Sequence, residues 1–170
     1  MKTVALTSDE IRRRTFQRAV KLLAAKPRSV AELRERLLQG KDTDEEIVEI
    51  VIARLREYGY LNDERLAFGY ASYKVKQKPV GRRRLERDLK LKQIESKVAD
   101  EALELVYAET SEEQLIDQAI AKRLRIRGRP QNRAQAKSLF DHLLRQGFPF
   151  ELVSEKVRSL ATDHTDDTEL

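Results

Sequence analysis

The chain has 170 residues, 40% hydrophobic and 37% charged, with a formal net charge of +5, no Cys, no Trp, six Gly and four Pro. Such a composition supports one modest domain or a few small repeated units, and so few chain breakers suit an all-α fold better than a turn-rich β one. The missing Cys excludes disulfides, thiolate metal sites and Cys nucleophiles. No stretch approaches the ~20 apolar residues of a membrane span, and the first apolar run is too short for a signal peptide, so a cytoplasmic protein is expected.

Helix-start signals recur along the chain. Thr7-x-x-Glu10 is a capping-box pattern opening a periodic segment to about Ala25, with Ile11, Ala19, Val20, Leu22 and Leu23 on it, and Pro27 ends it. Ser29-x-x-Glu32 opens a short helix with Leu33 and Leu37 on one face, ending near Gly40. Thr43-x-x-Glu46 opens a third, with Ile47, Val48, Ile50, Val51, Ile52 and Leu55 expected inward and Gly59 as its stop.

The order long, short, long then repeats. A fourth helix is expected from about Asn62 to Lys76, a break around Pro79, a short helix over 82–92 and a sixth from Ser96 to Tyr107. Ser111-x-x-Gln114 opens a seventh to about Arg125. After the loop "RGRPQN" come a helix over 133–146, stopped by Gly147, and a last one started by Pro149. Leu33/Leu37, Leu85/Leu89 and Leu139/Leu143 align at spacings of 52 and 54 residues. The expected architecture is three tandem three-helix units, over 8–60, 61–109 and 110–161. Stacking would form an elongated, curvable array, followed by a disordered acidic tail over 162–170.

Charge is distributed in blocks. From Lys74 to Lys92 there are nine Lys/Arg against two acids; from Val98 to Glu113, six acids and no Lys/Arg; between Asp117 and Asp141, seven Lys/Arg and no acid. The first block comprises Lys74, Lys76, Lys78, Arg82, Arg83, Arg84, Arg87, Lys90 and Lys92. Its three consecutive arginines fall in the first turn of a helix, where the macrodipole disfavours cations by roughly 0.3–1 kcal/mol each. On a helical wheel Arg83, Arg87 and Lys90 lie opposite Leu85 and Leu89. Arg84 can pair with Asp88 and Lys90 with Glu86, while Arg83 and Arg87 have no acid at that spacing.

Two readings of this block stand: a solvated basic face, or a face awaiting a polyanion, whose phosphates the helix N-terminus would also favour. The second block, Lys122, Arg123, Arg125, Arg127, Arg129 and Arg133, brackets the loop at the corresponding place in the third unit. Tyr70 and Tyr73 can stack on bases or serve as core or rim residues. His142 and His164 lack metal-ligand spacing, the acids at 44–46 are explained by helix capping, and no phosphate loop or nucleophile elbow occurs. No catalytic residue, metal site or cofactor is expected.

The stretch "GYLNDERLAFGYASYKVKQKPVGRRRLERDLKLKQI", residues 59–94, resembles the signature of the RecX family, bacterial regulators of the RecA recombinase. Gly59, Tyr60, Leu61, Asn62, Asp63, Arg65, Leu66 and Ala67 match its first part; Gly81, Leu85, Leu89, Lys92 and Ile94 match its second. The segments 18–37 and 142–153 fit as well. Two positions depart from the pattern: Arg82 stands where the family often has Pro, and Gln93 where it usually has Gly. If position 93 is left-handed, Gln costs about 1 kcal/mol there relative to Gly.

The resemblance implies three tandem three-helix units and a non-enzymatic, monomeric modulator that binds RecA along the groove of the RecA–single-stranded-DNA filament. It would restrain filament growth, ATP hydrolysis, strand exchange and coprotease activity, and so bear on DNA repair, recombination and the SOS response. Weak binding to single- or double-stranded DNA is expected with it. The residues alone support only an anionic, nucleic-acid-containing partner. They leave open a helix-turn-helix-like regulator acting on DNA directly and, more remotely, an enzyme acting on nucleic acid.

Overall fold

The computed structural model describes residues 7–41 and 43–162. Among these are nine α-helices and no strand: α1 Ser8–Ala25, α2 Val30–Leu38, α3 Glu45–Glu57, α4 Asp63–Gln77, α5 Arg82–Leu91, α6 Ser96–Glu109, α7 Glu112–Arg127, α8 Arg133–Arg145 and α9 Phe150–Thr162. The all-α helical-repeat expectation is met. Thr162, expected in the tail, is the last residue of α9, and the rest of that tail lies outside the described residues.

Capping chemistry sets most helix starts. Thr7 and Ser29 each form the full reciprocal box with Glu10 and Glu32, and the Ser111 hydroxyl accepts from Gln114 N at 3.1 Å. The third expected box does not form. Asp44 caps α3 instead, its Oδ1 accepting from Ile47 N at 2.9 Å, while the Thr43 hydroxyl is engaged with that of buried Thr15 at 3.3 Å. A carboxylate at the N-cap also meets the helix dipole, which Thr cannot do as well. α8 begins one residue after its Asn132 cap and, at 13 residues, is no shorter than α9, so the long–short–long order does not hold in the third unit.

The paired leucines of α2, α5 and α8 are all buried: Leu33, Leu37, Leu85, Leu89, Leu139 and Leu143. Ile50 was expected inward but is partly exposed, because it lies about 100° around its helix from the buried neighbour Val51. Two apolar clusters result. One joins α1, α2 and α3 through Ala19, Leu33, Leu37, Val48, Val51, Ile52 and Leu55, closed by Leu61. The other runs without interruption through α4 to α9, with Leu85, Leu89, Leu103, Ile116, Leu143 and Phe148 at its centre. The second and third helix triplets thus share one core, and the first has its own.

Two seams connect the triplets by the same device. At the first seam the C-terminal turn of α5 meets the N-terminus of α2: fully buried Ser29 donates its hydroxyl to Lys92 O at 2.6 Å, and Gln93 Nε2 donates to Glu35 at 2.9 Å. At the second seam the C-terminal turn of α8 meets the N-terminus of α5: Gly81 N donates to Gln146 O at 3.0 Å and Arg83 N to Gly147 O at 3.2 Å. In both, a carboxylate at the start of the next triplet reaches the first N–H of the middle helix. Asp63 accepts from Val30 N at 2.9 Å, and Glu112 from Arg82 N at 2.7 Å. The helices α8, α5 and α2 therefore follow one another head to tail, with negative carbonyl ends facing positive N-termini.

Position 93 is left-handed, as the family's usual Gly there anticipates: Gln93 has φ 56° and is the only non-Gly residue with positive φ among those described. Ile94 N reaches back to Leu89 O at 3.2 Å, just as Phe148 N reaches Leu143 O at 3.3 Å after Gly147. These are the same C-terminal turn, each followed by a buried hydrophobe. The strain at Gln93 is offset in part by its side chain, which ties the first seam.

The seam carboxylates carry a pH signature. Burial raises the Glu112 carboxyl above its ordinary range, opposed by the Arg82 N–H and guanidinium. A raised folded pKa means the contribution to stability is fully present below the unfolded value of 4.5 and is lost as pH rises through the folded one. Glu112→Gln keeps an acceptor for Arg82 N without a charge, so it should gain on wild type as pH rises from about 4 towards about 7. Glu112→Ala strands that N–H and should cost about 1–3 kcal/mol throughout. Urea midpoints across this range check both.

Candidate nucleic-acid interface

The three-arginine turn is met from within the chain. The α8 carbonyl end and Glu112 occupy the α5 N–H groups, Arg82 pairs with Glu86 at 3.1 Å, and Arg84 points a guanidinium N–H at Arg145 O, 3.5 Å away. The expected Lys90–Glu86 and Arg84–Asp88 pairs are replaced, since Glu86 takes Arg82 and Asp88 accepts from the Tyr70 hydroxyl at 3.1 Å. The α5 N-terminus is thus closed to an external phosphate. It is closed to a DNA groove as well, which disfavours the helix-turn-helix reading, in which the start of the recognition helix meets base edges. Arg83, Arg87 and Lys90 are exposed on the outer face, opposite Leu85 and Leu89, as the helical wheel placed them.

Grooves lie beside both seams at equivalent places. The first, about 600 Å³, is walled by Leu23, Lys26, Pro27 and Arg28 on one side and by Tyr60, Arg65, Leu66, Tyr70 and Tyr73 on the other, with Lys92 on α5's C-terminal turn. The second, about 160 Å³, is walled by Lys78 and Pro79 and by Ala119, Lys122, Arg123 and Ile126 of α7, with His142 and Gln146 of α8. Lys26-Pro27 corresponds to Lys78-Pro79 at the 52-residue spacing, and Lys92 to Gln146 at 54. A third hollow, about 210 Å³, shares Arg123 with the second and adds Arg127 and Pro130.

Arg123 joins the second and third hollows, and Tyr70, Lys74 and Lys78, spaced four residues apart along α4 and its C-cap, lead from the first to the second in one strip. Lys92 and Lys74 both stand over the Tyr70 ring, at 4.8 and 5.3 Å from its centre. Burial first, and then Asp88, push the Tyr70 phenol up to about 12, so it is a neutral donor at physiological pH. Lys78, whose N–H closes the last turn of α4 on Lys74 O at 3.2 Å, leads into the second groove. His142, in that groove, has its pKa lowered first by burial and then by the nearby cations Arg123 and Arg145.

The fold gathers Lys74, Lys78, Lys92, Lys122, Arg123 and Arg127 on this strip. It does not gather the rest. Lys76 and Arg125 are exposed about 200° around their helices from Lys74 and Arg123, and Arg129 and Arg133 are exposed at the α7–α8 loop. Lys26, Arg28 and Arg65 are on the strip and were missed as charges of interest. The signal that finds Lys26 is the Lys-Pro pair recurring as Lys26-Pro27 and Lys78-Pro79; Arg28 and Arg65 carry no such signal.

Most signature residues hold the first seam and the turn that leads to it. Gly59 takes φ 71° at the end of α3 and its carbonyl accepts from Arg65 Nη2 at 2.9 Å; Asn62 caps α4; Asp63 caps α2 across the seam. Leu61, Leu85, Leu89 and Ile94 are buried, and Gly81 has no room for a β-carbon against Gly147 and Phe148. The Tyr60 N–H closes the α3 turn on Leu55 O at 2.9 Å, while its side chain is exposed on the wall of the groove.

Helix triplets joined through half-buried carboxylates and bearing a cationic strip define a helical-repeat protein. Among the described residues there is no group of three or more His, Asp or Glu that could hold a metal, and no helix long and apolar enough to cross a membrane.

Two family models match, described as the first and second three-helix domains of RecX, over residues 16–55 and 62–103. The regulatory protein RecX of Bacillus velezensis is 31% identical over 164 residues, 95% of this chain and 60% of that one. That of Prosthecochloris aestuarii is 28% identical over 156 residues, 92% of this chain and 99% of that one. The crystal structure of RecX from Lactobacillus salivarius superposes with a TM-score of 0.78 at 18% identity, covering 91% of this chain and 99% of that one, and so has the same fold. The chain belongs to the RecX family. It spans about 60% of the length of its relatives in Bacillus velezensis and Bacillus subtilis.

Proposed function

We propose that this chain is a non-enzymatic inhibitor of the RecA recombinase that binds the RecA–single-stranded-DNA filament and restrains its growth, ATP hydrolysis and strand exchange. The observation that carries the reading, beside family membership, is the cationic strip crossing both seams, because a filament offers a long anionic track. Counter-ion release from phosphates would supply sequence-independent affinity and strong salt dependence. Seam carboxylates that hold consecutive triplets in register would fix the spacing of cations along that track. No metal, cofactor or membrane takes part, and the working species is a cytoplasmic monomer.

The test is RecA ATPase on single-stranded DNA with this protein titrated in. Slowing is expected at concentrations well below those needed to coat the DNA. Unchanged ATPase at molar excess over RecA would refute the proposal.

A further inference from the structure

Three of the chain's five tyrosines, Tyr60, Tyr70 and Tyr73, line the first seam groove, together with four cations and no acid. Tyr73 and Tyr60 are 60% and 63% exposed, and neither hydroxyl donates or accepts a hydrogen bond among the described residues. Both rings stand at the mouth of an apolar groove; Tyr60 meets Tyr58 edge-on at 6.3 Å between ring centres, leaving ring surface exposed, and Tyr73 meets no other aromatic ring among the described residues. Tyr70 differs: its hydroxyl is fixed by Asp88 and its ring is clasped by two lysine ammonium groups. It forms the floor.

We propose that this groove is a base-stacking site for single-stranded nucleic acid, with Tyr73 and Tyr60 receiving unstacked bases and the lysines and arginines of its two walls holding the intervening phosphates. The inference deepens the filament reading, and rests on it for the source of the strand. Flat rings beside a cationic track are what a single strand requires, since each base presents a π-face and each linkage one negative charge. Duplex DNA keeps its bases stacked inside and offers these rings nothing.

A free nucleotide fits less well. It calls for converging N–H donors, yet the neighbouring helix starts are already taken: α2 by Ser29 and Asp63, α4 by Asn62. The second seam groove has Ala119 and Lys122 where the first has Tyr70 and Tyr73, so it holds phosphate without reading bases.

The experiment measures anisotropy of a labelled oligothymidylate of about 20 nucleotides, and of an abasic strand of the same length, on the full chain. Wild type should bind the thymidylate at least about ten-fold more tightly than the abasic strand. Tyr73→Leu, at an exposed ring, should lose most of that preference while leaving the abasic affinity unchanged. Lys122→Glu with Arg123→Glu should weaken both strands alike. Circular dichroism establishes that each variant is folded.

Equal affinity of wild type for the two strands would overturn the proposal, as would a Tyr73→Leu protein that keeps the preference. Displacement of the thymidylate by ATP at micromolar concentration would reassign the groove to a free nucleotide. Loss of RecA binding by Tyr73→Leu with strand binding intact would reassign it to a protein segment. A RecA ATPase that ignores the protein would strike the filament reading alone, because the comparison of the two strands contains no RecA.

Discussion

Gly147→Ala should unfold the second seam. Gly147 has φ +94°, and a β-carbon there would overlap Arg84 N and lie 2.5 Å from Arg84 Cβ, both on the first turn of α5. The left-handed backbone costs about 1–2 kcal/mol for any residue with a side chain. Relieving the overlap means drawing α8 away from α5, which breaks the bonds from Gly81 N and Arg83 N and loosens the core beneath Phe148.

Together the loss should be about 3 kcal/mol or more, a large part of the ~5–15 kcal/mol of a typical domain. Gly69→Ala is the contrast: its β-carbon would meet nothing within 4 Å in mid-helix, so it should stabilise by about 0.5–1 kcal/mol. Urea unfolding checks both. Hydrogen exchange should place the damage in α5 and α8 and spare α2 and α3, whose core is separate.

The second large effect concerns binding. Lys122→Glu with Arg123→Glu inverts two charges in the second groove, neither of which pairs with an acid among the described residues. Affinity for single-stranded DNA should fall on the order of 10–100-fold at moderate salt, and the slope of log affinity against log salt should shrink by about 1.4, at roughly 0.7 for each phosphate no longer neutralised. Lys76→Glu with Arg125→Glu changes the net charge by the same amount on faces turned from the strip, and should leave the slope close to wild type. Equal losses from both pairs would mean that total charge, rather than the strip, governs binding.

Much of the fold was legible because its determinants are local. Leucine pairs at fixed spacing mark the buried faces of α2, α5 and α8, and Ser or Thr with Glu or Gln three residues on marks helix starts. Local reasoning failed where two local signals competed: at α3 both Thr43 and Asp44 can cap, and Thr15, 28 residues away, removed Thr43 from the contest. The family likeness correctly flagged position 93 as a turn where Gln is strained.

The site was less legible, because its partners are remote in sequence. The N–H groups of α5's arginine-rich first turn look open until Glu112, Gln146 and Gly147 are brought to them by the third triplet. Nothing at i±4 reveals that. The positive strip is likewise made by the seams: Lys78 meets Lys122 and Arg123 across the second, and Lys26 and Arg28 face Tyr70 and Tyr73 across the first. A charge run read on one helix picks out its solvent face, whereas here the grooves between triplets collect charges from several runs and discard neighbours such as Lys76.

Acetylation footprinting of lysines on the intact protein, alone and bound to RecA–single-stranded-DNA filaments, tests the strip most directly. Lys26, Lys74, Lys78, Lys92 and Lys122 should become protected while Lys76 stays reactive. Protection of Lys76 with the strip lysines still reactive would contradict the account.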